Sequence, residues 1–252
     1  MKASLKHKAH ESVLRYRIDL PEFRVDFGFT TRTFGLKPGA SARFERALAE
    51  TSDPEVKEFF AGTVGYGTQV HSDRVAEVRA AGRPAVRFEE TDGFLTLEPG
   101  VRLLVFSADC LPLFLYVASP TPAVGLVHAG WRGTRLGIGR KAATLLARKA
   151  GARPDAVKAV LGPCLRACCY EVGEEFKAYF PKTVSQDPKT DRLRFDLAAE
   201  NIRQLGDAGI PSANVRDLGL CTACRSDLFY SYRREGDKAD RLISWISISN
   251  LK

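Results

Sequence analysis

The stretch from 101 to 128 constrains this chain most, because three apolar segments of strand length follow one another there with almost nothing between them. The segments 101–107, 111–117 and 123–128 are too short for membrane spans and apolar enough to be buried on both faces. Between the first two stands Ser107-Ala108-Asp109-Cys110, which places a carboxylate and a thiol in a tight turn. A cysteine serving only as core filling has no need of the neighbouring aspartate. The third segment ends in His128, directly before Ala129-Gly130-Trp131-Arg132-Gly133.

Helical spacing follows at 139–149, and further helices are expected at 173–179 and 196–209, the last with Gly209 as a C-terminal cap before Pro211. Residues 40–60 also read as helical, broken in two by Asp53-Pro54. Phe23, Val25, Phe27 and Phe29 alternate as a strand over 22–36 before a turn, and 242–249 alternates again. The glycines of 62–67 read as a loop leading into a strand that runs through Val78, and residues 1–20 as a polar N-terminal segment. No period of 20 to 50 residues repeats. Strands interspersed with helices predict an α/β fold: one domain spanning 1–252, a mixed-sheet sandwich with flanking helices.

With 44% apolar residues in 252, the chain can bury a large core. No apolar run approaches a membrane span, and the N-terminus lacks the apolar stretch of an export signal, so a cytoplasmic, reducing environment is expected. The net charge of +8 suits an anionic ligand, but the arginines are scattered and no stacking signature of an RNA-binding sheet appears. The expected partners are therefore small anions, with phosphate favoured, and neither nucleic acid nor membrane. A homo-oligomer remains open.

Four histidines are present, and His7 and His10 fall in the polar N-terminal segment. His71 and His128 each sit at a strand end, where side chains converge on clefts. A buried histidine bonded to the backbone is the ordinary alternative for either one alone. Together with Cys110 they make two imidazoles and one thiolate, a normal set of three protein ligands for a catalytic zinc that keeps a fourth position open. Asp92 and Asp109 are candidates to orient an imidazole, with turn roles equally open. Copper can compete at nitrogen and sulfur ligands, so copper binding in vitro is compatible with the same residues.

Four further cysteines, Cys168, Cys169, Cys221 and Cys224, could in principle hold a second ion. A lone Cys-x-x-Cys is weak evidence, and adjacent cysteines point apart in an extended chain, so these thiols read as packing. Among the many basic residues, Arg32 and Arg132 are the strongest candidates for a bidentate anion contact, with Arg233-Arg234 next. Trp131 either stacks on an aromatic base or seals the core.

Five blocks then carry a resemblance: Thr68-Gln69-Val70-His71-Ser72; Ser107 to Pro112; Val127-His128-Ala129-Gly130-Trp131-Arg132-Gly133-Thr134; Gly162-Pro163 with Cys168-Cys169-Tyr170-Glu171-Val172-Gly173; and Cys221-Thr222 with Phe229-Tyr230-Ser231-Tyr232-Arg233-Arg234. In this order, over roughly residues 25 to 245, the chain resembles the YfiH family, also called laccase-domain or multicopper polyphenol oxidase proteins. The resemblance implies a fold like that of the cytotoxic-necrotizing-factor deamidase and zinc held by His71, Cys110 and His128. It further implies phosphorolysis of purine nucleosides such as adenosine and inosine, with adenosine deamination alongside and a link to peptidoglycan fidelity. Gln69, Trp131, Arg132 and Arg32 become the expected contacts to nucleoside and phosphate. The chain departs from the usual family pattern at Cys164-Leu165-Arg166-Ala167 and at Arg32-Thr33-Phe34-Gly35, both outside the three metal ligands.

Four histidines are too few for the several copper centres of a true multicopper laccase, which excludes that chemistry. A different class, a cysteine hydrolase or amidase with Cys110 as nucleophile and His128 as base, is the main alternative. A metal-binding protein without turnover is the third.

Overall fold

The computed structural model describes residues 12–37, 43–80, 82 and 84–250. Two six-stranded mixed sheets dominate it. The first contains β1 (Val13–Asp19), β2 (Phe23–Thr30), β3 (Thr63–Gly67), β5 (Ala85–Phe88), β7 (Val101–Ser107) and β15 (Leu242–Asn250), in the order β1-β2-β15-β7-β3-β5. The second contains β4 (Val75–Glu77), β6 (Gly93–Thr96), β8 (Leu111–Val117), β9 (Ala123–Ala129), β10 (Lys158–Leu161) and β14 (Val215–Asp217), in the order β14-β10-β8-β9-β6-β4. A small third sheet, β11 (Glu171–Val172), β13 (Leu193–Phe195) and β12 (Val184–Gln186), lies apart from these ladders.

Because successive side chains of a strand face opposite ways, each central strand divides its apolar residues between two cores. In β7, Val101, Leu103 and Val105 join Phe27, Phe114 and Leu126 between the sheets, while Leu104 and Phe106 face Phe44, Phe59 and Phe60. Those phenylalanines belong to α1 (Phe44–Glu50) and α2 (Pro54–Phe59) and to the residue that follows, and the break between the helices falls at Asp53-Pro54 as the sequence predicts. In β8, Phe114 and Tyr116 face the first sheet. Leu111, Leu113 and Leu115 face Ile138, Ala142 and Leu146 of α4 (Ile138–Lys149) instead. The α/β mixed-sheet sandwich with flanking helices is thus the fold observed, helices covering the outer face of each sheet.

Several boundaries differ from expectation. The supposed polar segment contains β1, which pairs antiparallel with β2 and buries Leu14, Tyr16 and Ile18 on one face while Arg15, Arg17 and Asp19 stay exposed. Alternating charges hid an edge strand. His7 and His10 lie outside the described residues. The glycines of 62–67 belong to a buried strand, where Gly65 packs so closely on Val78 that a Cβ would fall 2.5 Å from its Cγ1. The strand expected to run through Val78 shrinks to β4, leaving 68–74 as a connection. Of the other helices, the short α3 (Trp131–Arg135) and α7 (Tyr232–Glu235) fall outside the predicted spans, whereas α5 (Glu175–Tyr179) and α6 (Leu197–Asp207) lie within theirs, and Asp196 caps α6 by accepting from the Ala199 N–H at 2.9 Å. Among the described residues, no helix is long and apolar enough to cross a membrane.

Topology places the site. Strands β3, β5 and β7 are mutually parallel, so all three end at the same edge of the first sheet. From each end the chain crosses to the second sheet, through residues 68–74, 89–92 and 108–110. His71, Asp92 and Cys110 lie on these three crossings, and β9 delivers His128 to the same place.

A candidate metal centre between the two sheets

Asp92, fully buried, is the organising group of the site. Its carboxylate accepts hydrogen bonds from the backbone N–H groups of Val70 at 3.2 Å, His71 at 3.0 Å and Ser72 at 2.8 Å, and from the Ser72 hydroxyl at 2.8 Å. Its other contact is His128 Nδ1, 2.8 Å away, while its carbonyl accepts from the His128 N–H at 2.7 Å. Burial alone would raise the Asp92 carboxyl, but the bond to His128 and those from Ser72 outweigh it and bring the group down to about 2. The three amide bonds also hold His71 at φ 61°, a left-handed conformation that a residue with a Cβ adopts only when its surroundings impose it.

With Nδ1 tied to Asp92, His128 presents Nε2 to the interior. His71 Nε2 lies 3.7 Å from Cys110 Sγ, the two imidazole centroids are 5.0 Å apart, and one donor atom from each of the three residues lies within 4.8 Å of the others. Burial opposes ionisation of the Cys110 thiol, yet His128 and His71 bring it down to about 6; the thiolate and Asp92 in turn push His128 up, against its own desolvation. A thiolate between two imidazoles, one backed by a carboxylate, is a donor set suited to a tetrahedral ion with an open position. Gly130 is required by closeness: a Cβ there would sit 2.7 Å from His71 Cδ2 and 2.9 Å from Cys110 Sγ.

The three residues line a cavity of about 600 Å³. Trp131, Tyr170 and Phe176 give it an aromatic wall, Phe106 borders it from the end of β7, and Arg132, Arg233 and Arg241 bring positive charge. The Trp131 ring packs on Phe176, with centroids 5.2 Å apart, and the Arg132 guanidinium lies over the Trp131 face at 4.3 Å. Gln69 also lines the cavity, but its amide is engaged with the backbone of Phe106, donating to the carbonyl and accepting from the N–H, both at 2.7 Å. It therefore ties the His71 crossing to the end of β7.

Other expected residues fall differently. Arg32 is not among the cavity residues; it donates to the Ser226 carbonyl at 2.6 Å and pairs with Glu235 at 3.4 Å. Arg233 and Arg234, adjacent in sequence, separate: Arg233 faces the cavity, whereas Arg234 donates to the carbonyls of Thr222, Ala223 and Phe229. Asp109, at φ 93°, accepts from the Thr222 hydroxyl at 2.5 Å and the Arg233 N–H at 2.6 Å, so it fixes the Cys110 turn and leaves imidazole orientation to Asp92. Phe106, Tyr170 and Phe176 escaped the sequence reading as cavity residues, because aromatic residues in apolar surroundings carry no mark of facing a void. The departing turn at 164–167 contributes Leu165 to the cavity wall, and its Arg166 pairs with Asp217 at 2.5 Å.

The reading of the other cysteines as mere packing needs correction. Cys168 and Cys169 occupy a turn, where neighbouring side chains need not diverge as they do in a strand, and the thiols of Cys168, Cys169, Cys221 and Cys224 converge within 4.8 Å of one another.

Comparison with known proteins finds relatives over most of the chain. The chain is 35% identical to the purine nucleoside phosphorylase YlmD of Bacillus subtilis over 196 residues, covering 73% of this chain and 70% of that protein. It is 34% identical to the adenosine deaminase RL5 of an unknown prokaryotic organism, over 71% of this chain and 72% of that one. The crystal structure of the hypothetical protein YfiH from Bacillus licheniformis superposes with a TM-score of 0.73 at 27% identity, covering 91% of this chain and 97% of that one. A family model described as multi-copper polyphenol oxidoreductase laccase matches residues 27–249. The chain therefore belongs to this laccase-like, YfiH-type family.

Proposed function

We propose that the protein is a zinc-dependent purine nucleoside phosphorylase acting on adenosine or inosine. The observation that carries this reading is the convergence of His71, Cys110 and His128 on a cavity whose lining also includes aromatic side chains and arginines. A volume of about 600 Å³ falls within the range of small-ligand pockets and accommodates a nucleoside together with phosphate. The relatives named above as phosphorylase and deaminase support the substrate class.

The donor set fits zinc, which His71, Cys110 and His128 would hold and which would supply a Lewis acid at the reacting centre. Asp92 keeps His128 oriented and electron-rich. Trp131, Tyr170 and Phe176 offer aromatic surface to a purine. Arg132 provides a planar donor fork for phosphate, which attacks the anomeric carbon of ribose as the base departs, and Arg233, its guanidinium held on the Glu171 carbonyl at 3.0 Å, adds positive charge to the lining. Deamination is a second outcome of the same pocket if the purine is turned so that its C6, and not the anomeric carbon, meets the nucleophile: water then adds at C6 and ammonia leaves.

One arrangement favours an alternative, a thiol hydrolase or amidase acting on substrates such as peptidoglycan precursors: Asp92, His128 and Cys110 form a chain in which the carboxylate orients the imidazole beside a thiol lowered to about 6. Base release assayed with and without inorganic phosphate, and with and without chelator, separates the two. The phosphorylase requires both phosphate and metal and yields ribose 1-phosphate. The hydrolase works without either and fails in Cys110→Ser. Arg132→Lys keeps the charge but removes the fork, so it raises the KM for phosphate more than that for nucleoside. Equal base release without phosphate refutes the phosphorylase reading.

A further inference from the structure

Two loops near the cavity meet through sulfur, the first running on into Tyr170 of its wall and the second bonded through Thr222 to Asp109. The first carries Cys168 and Cys169 in a turn closed by the Cys169 and Tyr170 N–H groups donating to the Arg166 carbonyl at 2.8 and 2.9 Å. The second carries Cys221 and Cys224 in a turn closed by the Arg225 N–H on the Cys221 carbonyl at 3.1 Å. The loops are joined by a short parallel bridge between Cys164 and Cys221. Arg234 holds the second turn from outside by donating to the Thr222 carbonyl at 2.9 Å and the Ala223 carbonyl at 2.8 Å. Backbone hydrogen bonds thus fix both turns, leaving the thiols directed at a common point.

The spacing of the sulfurs identifies what that point is suited to. Cys168 Sγ lies 3.7 Å from Cys221 and 3.6 Å from Cys224, and Cys169 Sγ lies 3.4 Å from Cys224. All four sulfurs are within 4.8 Å of one another. Four thiolates at about 2.3 Å from a tetrahedral zinc ion are separated from each other by about 3.8 Å. A disulfide would instead bring two sulfurs to about 2.05 Å. Cys168 and Cys224 each touch two of the other thiols, so the four form one shared cluster and not two pairs.

We propose that Cys168, Cys169, Cys221 and Cys224 bind one structural zinc ion, in a closed four-thiolate site separate from the His71, Cys110 and His128 centre. The ion staples together segments about fifty residues apart in sequence, as cross-links between distant parts of a chain do when their own cores are small. Its position gives it a bearing on the cavity. Thr222, inside the Cys-x-x-Cys turn, donates to Asp109 beside Cys110, and Tyr170, next to Cys169, forms part of the aromatic wall. With all four positions taken by protein, the ion has none to offer a substrate.

The test uses the full chain purified under reducing conditions. A variant with His71, Cys110 and His128 all changed to alanine is expected to retain about one zinc per chain, with an X-ray absorption shell of sulfur alone near 2.3 Å. Adding Cys221→Ser and Cys224→Ser should remove that zinc. Should the combined variant fail to fold, the wild-type chain decides: its thiols at 168, 169, 221 and 224 should resist a thiol reagent until a strong chelator is added, although Cys168 and Cys224 are exposed. The proposal is overturned if the alanine variant holds no zinc or holds iron in its place, if its metal shows nitrogen or oxygen ligands, if these thiols react freely before chelation, or if the intact mass reveals a disulfide among them.

Discussion

Replacing Asp92 by asparagine tests the architecture of the site most directly. The carboxylate serves three backbone N–H groups, one hydroxyl and one imidazole with two oxygens. Asparagine presents one oxygen and, in place of the other, an amide that cannot accept. At least two of the five contacts are lost, and donor meets donor at a fully buried position. Hydrogen bonds to a charged group contribute roughly 1.5 kcal/mol or more each, so Asp92→Asn should destabilise the metal-free protein by about 3 kcal/mol or more. Urea unfolding in the presence of chelator measures this without a contribution from metal. The pH dependence gives an independent check. Lowering the carboxyl from its ordinary 3.8 to about 2 corresponds to roughly 2 kcal/mol favouring the ionised folded form. Because the folded value is the lower one, this stability is fully present above pH about 4 and disappears as pH falls from about 4 towards 2. The variant should show a flatter acid limb. Since His128 loses its orienting acceptor, zinc affinity should also fall by about 10- to 100-fold. A variant that matched the wild type in unfolding midpoint, acid limb and zinc affinity would refute the role assigned to Asp92.

Gly130→Ala should weaken metal binding at least about tenfold, read by competition with a chelating dye, because the new methyl forces His71 and Cys110 apart at an overpacking cost of about 1–3 kcal/mol. Gln69→Leu leaves the Phe106 N–H and carbonyl without their side-chain partners and should cost about 2 kcal/mol in urea unfolding, with a larger effect on metal affinity than on the rest of the fold. Phe114→Ala, made between the two sheets where Phe114 meets Phe27 at 5.1 Å, should cost about 3–5 kcal/mol while leaving the zinc-to-protein ratio of the folded fraction unchanged.

The sequence by itself determined the pieces. Apolar segments bounded by turn residues marked β7, β8 and β9, helical periodicity marked α4 and α6, and the scarcity of histidine drew attention to His71 and His128. Chemistry that only a few residue types can perform is legible in one dimension, and so is a period of two or of 3.6. What the sequence concealed was relative position. β1 escaped notice because an edge strand with charges on its outer face looks like a polar tail, and β3 because its glycines serve close packing and not a loop. Extended-chain geometry sets the Cys168 and Cys169 side chains apart, but their turn lets both sulfurs reach one cluster. The tertiary structure alone decided the site, for a topological reason. Parallel pairing of β3, β5 and β7 puts three crossings to the second sheet at one edge, so His71, Asp92 and Cys110 meet there although no local rule of spacing connects them. The same pairing explains why Asp92, buried and bonded to three consecutive N–H groups of another crossing, holds the centre together, a role that depends on neighbours twenty residues away.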